Sequence, residues 1–112
     1  MYNQLQMAML NQLTNGWVKV DSQDNAIATA SKAAATGKTH IITGVFAGFS
    51  SAVTKLLQIK DGNTVIAEHY IVNTGYIPLN IRATDGNAVS ATLEASGTAG
   101  QTGKVNLTGF TI

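Results

Sequence analysis

The side chains that could support catalysis or bind a metal ion are few and widely separated in this chain. It has two histidines, His40 and His69, and no cysteine. Glu68 precedes His69, but neighbouring side chains of a strand point to opposite faces of the sheet, so these two cannot act on one group. A zinc site at either histidine would need further ligands from distant parts of the sequence. We therefore interpret both histidines as hydrogen-bonded or solvated, and we expect no metal, no cofactor and no enzymatic activity.

Two short segments have the composition of ligand-binding loops without the required spacing or context. Residues 21–25, DSQDN, offer oxygens to calcium but lack the ligand spacing of an EF-hand loop. Residues 97–104, GTAGQTGK, are similar to a phosphate-binding loop, but Val105 follows the lysine and the loop enters a strand. A phosphate-binding loop must open into a helix whose N-terminal amides bind the anion. We interpret the first segment as a polar turn and the second as a strand connection.

Sugar binding is a further function that the aromatic side chains would permit. Trp17, Tyr70 and Tyr76 could line a sugar groove, but three dispersed aromatic residues are equally well explained as core and rim residues. They do not alternate with basic residues, as the rings of a base-stacking surface would.

Composition and charge argue against two classes of partner. The chain has 112 residues and a formal net charge of +1, and only 12% of its residues are charged. Its lysines and arginine are spread singly, whereas nucleic-acid-binding proteins cluster them, so we expect no nucleic acid. No run approaches the roughly 18 apolar residues of a membrane span, and the N-terminus lacks the features of a signal peptide. A surface with few charges is prone to association, which favours a role in a protein assembly.

The residues after Asn15 carry the signals of an antiparallel β-sheet protein. Apolar and polar residues alternate with a period of two over 76–83 and 88–95, which predicts strands with one buried and one solvated face. The alternation slips before Phe110, so Gly109 predicts a β-bulge that turns Phe110 onto the core face. Asp61-Gly62 lies between two further strand signals and predicts a hairpin.

These signals predict an all-β fold, an antiparallel jelly roll or β-sandwich of about eight strands, over residues 16–112. The expected core residues are the apolar members of the alternating runs: Val18, Val20, Leu57, Ile59, Ile77, Leu79, Ile81, Val89, Leu93, Val105, Leu107 and Phe110.

Residues 1–15 differ from the rest and are interpreted as a short N-terminal arm that is helical or extended. An apolar stripe at helical spacing consists of Tyr2, Leu5, Met9, Leu10 and Leu13. The segment is too short to form a stable helix alone, so it packs either on its own domain or on a neighbouring subunit. We favour contacts between subunits, because contiguous apolar patches usually mark interaction sites, and we expect a dimer or higher homo-oligomer.

Several motifs in residues 37–112 resemble those of small proteins of tailed bacteriophages, including jelly-roll capsid decoration (cement or stapling) proteins. They are GKTHxITG at 37–44, LxIKDG at 57–62, GNAVSATL at 86–93, ASGTAG at 95–100 and GxVxLxGFT at 103–111. The resemblance implies a non-enzymatic protein, made in the host cytoplasm, that binds the major capsid protein on the outer surface of the head. Such a protein stabilises the shell across capsomer boundaries and has no catalytic residues. The alternative is a carbohydrate-binding β-sandwich of a phage fibre or adhesin.

Overall fold

The structure, a computed structural model, describes residues 15–112 as eight strands in two four-stranded antiparallel sheets. The strands are β1 (Gly16–Asp24), β2 (Ala28–Lys32), β3 (His40–Phe49), β4 (Thr54–Asp61), β5 (Thr64–Val72), β6 (Thr74–Arg82), β7 (Val89–Leu93) and β8 (Thr102–Thr111). The described part of the chain contains no helix long and apolar enough to cross a bilayer.

The order of the strands is that of a jelly roll. The first sheet has the order β1-β8-β3-β6 and the second has the order β2-β7-β4-β5. Consecutive strands alternate between the sheets, except for β4 and β5, which pair as a hairpin. The chain therefore wraps around one core in two Greek keys, and the predicted all-β fold is confirmed.

The hairpin lies where the sequence predicts it. Asp61 pairs with Thr64, which leaves Gly62 and Asn63 as a two-residue turn. Gly62 has φ 60°, a conformation that glycine adopts without a steric penalty. The backbone of this turn therefore matches the twist of the two strands that it connects.

The hydrophobic core lies between the inner faces of the two sheets. Most of the predicted core residues belong to it. Those that are fully buried are Leu57, Ile59, Val89, Leu93, Val105 and Leu107, and those that are partly buried against it are Ile77, Leu79 and Ile81. Ala28 and Ala30 of β2 are also buried in this core.

The predicted orientation of β1 is wrong. Val18 and Val20 are 61% and 62% exposed, and the inward positions belong to Trp17 and its alternate residues. Trp17 pairs with Gly109 of β8, and a Cβ atom on that glycine would come within 2.6 Å of the indole ring. Because Gly109 has no side chain, there is room beside it for Trp17, the largest side chain of β1. Strand β1 therefore places the Trp17 indole on its inward face.

The predicted bulge at Gly109 is also misplaced. The register between β3 and β8 shifts between Ile42 and Gly44, so the extra residue is Thr43 on β3. Strand β8 pairs regularly with β1 through Phe110. Phe110 therefore remains on the face opposite Leu107, where it is buried beside Ile41 outside the principal core.

Candidate interaction face

The outer faces of the two sheets differ in their chemistry. The outer face of the second sheet is polar over β2, β7 and β4, where its exposed rows carry hydroxyl, amide and charged side chains. One row across its strands consists of Thr29, Thr92, Gln58 and Glu68, and the next consists of Ser31, Ser90, Lys60 and Val65. Only the edge strand β5 adds exposed apolar side chains to this face.

The outer face of the first sheet is uncharged and largely apolar over two adjacent rows, which we call the apolar face. One row consists of Val20, Asn106, Phe46 and Tyr76, and the other of Val18, Thr108, Gly44 and Pro78. Neither row contains Asp, Glu, Lys, Arg or His. Phe46 and Tyr76 are 43% and 59% exposed. With strands about 4.8 Å apart, each row extends about 14 Å across the sheet.

Gly44 shapes the centre of the apolar face. A Cβ atom at this position would lie 2.7 Å from the Tyr76 hydroxyl oxygen and 3.1 Å from the ring. The absence of a side chain therefore lets Tyr76 of β6 reach across β3. The Thr108 hydroxyl donates to the Gly44 carbonyl oxygen (3.1 Å), so the Thr43 hydroxyl, also 3.1 Å from Thr108, must be the donor in that pair. Both hydroxyl groups are paired within the sheet, and the apolar side chains remain for contacts with a partner.

Charged groups lie beyond the two rows of the apolar face. Lys104 follows in the next row at one end. The next row at the other end contains Phe110, Ile41 and, on β6, Arg82, which forms an exposed ion pair with Asp85 at 3.3 Å. A groove of about 270 Å³ adjoins the Lys104 end. Its lining includes Phe46, Phe49, Ser50, Thr74, Thr102 and Lys104. A contiguous apolar patch with a polar rim is typical of an interaction site.

His40 is hydrogen-bonded, as the sequence predicts. It is buried, and its Nε2 atom lies 2.8 Å from the Ala33 carbonyl oxygen, which can only accept, so Nε2 carries a hydrogen. In the neutral ring, Nδ1 then accepts from the Thr111 hydroxyl at 2.8 Å. The Trp17 indole donates to the same hydroxyl oxygen (3.0 Å) and packs edge-on against the imidazole. Both ring nitrogens therefore have hydrogen-bond partners in the described chain. His69 is exposed on β5.

Side chains of residues 21–25 accept hydrogen bonds from backbone N–H groups of β2 and of the β7–β8 connection. An Asp21 oxygen accepts from the Thr29 N–H (2.9 Å), and this bond holds the pKa of Asp21 below its usual value. Asp24 and Asn25 accept from backbone N–H groups of the β7–β8 connection, each at 2.9 Å. Within residues 15–112, no three His, Asp or Glu residues form a group that could hold a metal ion. The interpretation of this segment as a polar turn is wrong for most of its length, because residues 21–24 belong to β1 and only Asn25 lies in the connection to β2.

Residues 97–101 lie in the connection between β7 and β8, and residues 102–104 begin β8, so the segment enters a strand as the sequence predicts. Gly97 and Gly100 have φ values of 86° and 85°, which explains the glycines by backbone conformation alone.

The predicted aromatic set does not form one groove. Trp17 points inward from β1, Tyr70 lies on β5 of the second sheet, and Tyr76 lies on β6 at the far edge of the first sheet. Sequence reasoning missed Phe46, which lies beside Tyr76. The sequence of β3 (HIITGVFAGF) could have indicated it, because apolar residues occur on both faces of this strand, as in strands that are covered on both sides.

The predicted interface residues of the arm, Tyr2, Leu5, Met9, Leu10 and Leu13, lie outside the described residues. Their role stays a prediction.

Comparisons with known proteins extend the assignment of the fold. No protein-family model matches the chain, and no curated protein is similar to it in sequence. A chain in the acid-stable capsid structure of the Helicobacter pylori bacteriophage KHP30 superposes with a TM-score of 0.57. The alignment covers 86% of this chain and 87% of that chain, at 10% sequence identity. The two chains share a fold.

Weaker structural similarities reach two other classes of protein. One is the CBM36-1 domain of a multidomain xylanase from the hindgut metagenome of Trinervitermes trinervoides, with a TM-score of 0.49, 8% identity and coverage of 83% and 96% of the two chains. Another is the coat protein of Tobacco streak virus, with a TM-score of 0.32, 6% identity and coverage of 86% and 87%.

Proposed function

We propose that this protein is a non-enzymatic decoration protein of a bacteriophage capsid, which binds the outer surface of the head through the apolar face. The observation that carries the proposal is the apolar face itself. It extends across all four strands of the first sheet and lacks charged side chains in its two central rows. The fold shared with a chain of the KHP30 capsid structure supports the same assignment.

The geometry of the apolar face suits a broad protein surface better than a small substrate. Its side chains project from paired strands, so the backbone beneath them is already ordered and little conformational entropy is lost on binding. Val18 and Val20 at one edge and Tyr76 at the other spread the contacts over the width of the sheet. No cluster of titratable groups from residues 15–112 converges on these rows, so the face offers contact area and not acid–base chemistry.

Decoration would stabilise the shell by binding linkage. A protein that binds the assembled capsid but not its separated subunits shifts the equilibrium toward the assembled form. Contacts that extend over a capsomer boundary add to the bonds that resist the outward pressure of packaged DNA. In this proposal the partner is the major capsid protein, the location is the capsid surface of the virion, and residues 1–14 supply a second attachment.

Co-sedimentation with assembled capsids that lack the protein tests the proposal. The variant Val20→Lys places a charge in the apolar face, and Ser31→Lys places the same charge on the polar outer face of the second sheet. Both positions are exposed, so neither change removes core packing. We expect the wild type and Ser31→Lys to pellet with capsids and Val20→Lys to bind at least about tenfold more weakly, because a buried unpaired charge is costly. Equal binding by both variants, or a wild type that stays in the supernatant, would contradict the proposal.

A specific observation also supports a carbohydrate-binding function. The groove beside Phe46 combines aromatic rings with the hydroxyl groups of Ser50, Thr74 and Thr102, and a sugar requires both stacking and hydrogen bonding. A glycan array probed with the isolated protein distinguishes this alternative. Binding to an oligosaccharide that Phe46→Ala abolishes, together with no co-sedimentation of the wild type with capsids, would favour it over decoration.

A further inference from the structure

The four edge strands of the sandwich differ in how they are protected against pairing with another strand. An edge strand presents unpaired N–H and C=O groups, and inward charges, proline or short length normally discourage pairing. Strand β1 carries Lys19 and Asp21 on its inward face, β6 contains Pro78, and β2 is only five residues long. Strand β5 has nine residues, no proline, no lysine and no arginine. Of the described edges, it is the one that most lacks these protections.

Strand β5 also exposes apolar side chains. Tyr70 and Val72 are 75% and 67% exposed, and Val65 and Ile66 are 38% and 37% exposed. The register with β4 shifts once, near the hairpin, and residues 67–72 pair regularly with it. The edge is therefore regular over residues 67–72, and it pairs with no other described strand. Such an edge is a template for the addition of a further strand.

We propose that β5 pairs with β5 of a second copy of this chain, antiparallel and around a two-fold axis. Two antiparallel copies of one edge strand can be related by a two-fold axis. If residue i of one copy contacts residue j of the other, then residue j of the first copy contacts residue i of the second. Within the described chain the other three edges carry protective features, so β5 of a second copy is the strand that fits. The net charge of +1 adds little repulsion between copies. The two second sheets then become one continuous sheet of eight strands.

The pairing register follows from the pattern of side chains. Directly opposed residues must lie on the same face of the joined sheet, so the axis passes through a residue position. An axis at Glu68 would oppose two carboxylates, which is unfavourable. An axis at His69 places Glu68 beside Tyr70 of the partner subunit and Ala67 beside Ile71 of the partner subunit, with the regular residues 67–71 overlapping. This register avoids the carboxylate pair and packs Tyr70, the most exposed apolar side chain of the strand, beside a side chain of the partner subunit.

In this dimer the apolar faces of the two subunits point in the same direction. A two-fold axis perpendicular to the joined sheet leaves both first sheets on one side, so their outer faces point in one direction. If the proposed function holds, the pair contacts two neighbouring sites on a shell, as a protein that bridges capsomers requires. This consequence rests on the proposed function, whereas the β5 pairing does not.

Sedimentation velocity of the full chain, without capsids, tests the pairing. We expect a dimer in the micromolar range, and a monomer for the variant Tyr70→Glu, whose carboxylate would lie directly opposite Glu68 of the partner subunit at both symmetry-related positions. The matched control is Val18→Glu, which adds the same charge at a similarly exposed position of another edge strand and should remain dimeric. A monomeric wild type, or a Tyr70→Glu protein that stays dimeric, would overturn the proposal.

Cross-linking tests the register. The chain has no cysteine, so a single introduced thiol reports one contact. Directly opposed residues of antiparallel strands have Cα atoms about 4.5–5.5 Å apart, within the range of a disulfide. We expect oxidised His69→Cys to form a covalent dimer on a non-reducing gel, and Ser31→Cys, on edge strand β2, to remain monomeric on the same gel. Cross-linking only at Ser31→Cys, or at neither position, would overturn the register. Because no capsid is present, failure here is distinguishable from failure of capsid binding.

Discussion

Asp61 joins two connections of the sandwich through its carboxylate. One oxygen accepts from the Thr84 N–H (2.9 Å) and hydroxyl (2.8 Å), and the other accepts from the Asn87 side chain (3.0 Å). These bonds attach the β4–β5 turn to the β6–β7 connection. Partial burial acts to raise the pKa of Asp61, but the hydrogen bonds outweigh it, and the pKa lies below its ordinary value of 3.8. The Thr39 hydroxyl, followed by Arg82, likewise lowers the pKa of Asp85.

The variant Asp61→Asn is expected to reduce the free energy of unfolding at pH 7 by about 1 kcal/mol, because partly exposed charge-assisted hydrogen bonds are lost. A carboxyl group with a lowered folded-state pKa stabilises the fold above its unfolded pKa and loses that contribution as the pH falls through the folded pKa. Urea melts from pH 7 to pH 2 should therefore show the difference between wild type and variant shrinking below about pH 4. A difference that stays constant over this range would contradict the role of the ionised carboxylate.

At the scale of the elements, the contact between Trp17 and Gly109 orients an entire strand. Because side chains alternate along β1, placing the indole inward forces Val18 and Val20 outward, onto the apolar face. One missing Cβ atom in β8 thus accounts for two of the exposed apolar residues that support the proposed function. The same region contains the register shift of β3 at Thr43.

The variant Gly109→Ala should destabilise the fold by about 2 kcal/mol, since its Cβ atom would overlap the Ile41 carbonyl oxygen and the Trp17 ring. Gly75→Ala is a matched control on β6, where the nearest atom to an added Cβ is the Ile71 side chain at 3.4 Å, an ordinary contact. We expect the control to change stability by less than about 0.5 kcal/mol. Thermal or denaturant melts with equal losses for both variants would show that the space at Gly109 does not set the orientation of β1.

At the scale of the whole molecule, three surfaces have separate roles in the proposals. The apolar face contacts the capsid, strand β5 pairs with a second copy, and residues 1–14 add attachment. These surfaces lie on different elements, so variants can separate their effects. Val20→Lys addresses the first, and Tyr70→Glu addresses the second.

Deletion of residues 1–14 addresses the third surface. We expect the remaining domain to stay folded, since its core lies between the two sheets, and to bind capsids or itself more weakly. Circular dichroism and co-sedimentation measure the two outcomes. A truncated chain that unfolds, together with an intact chain that is strictly monomeric, would instead make the arm part of its own core.

The sequence by itself determined the class of fold, because the signals involved are local. Alternation with a period of two over 88–95 and the Asp61-Gly62 turn depend on neighbouring residues alone, and both were predicted correctly. Tertiary structure decided the phase of β1, the position of the bulge on β3 and the identity of the apolar face. Each of these depends on which strands become neighbours: Trp17 meets Gly109, and Phe46 meets Tyr76, across separations of 92 and 30 residues that no local pattern records.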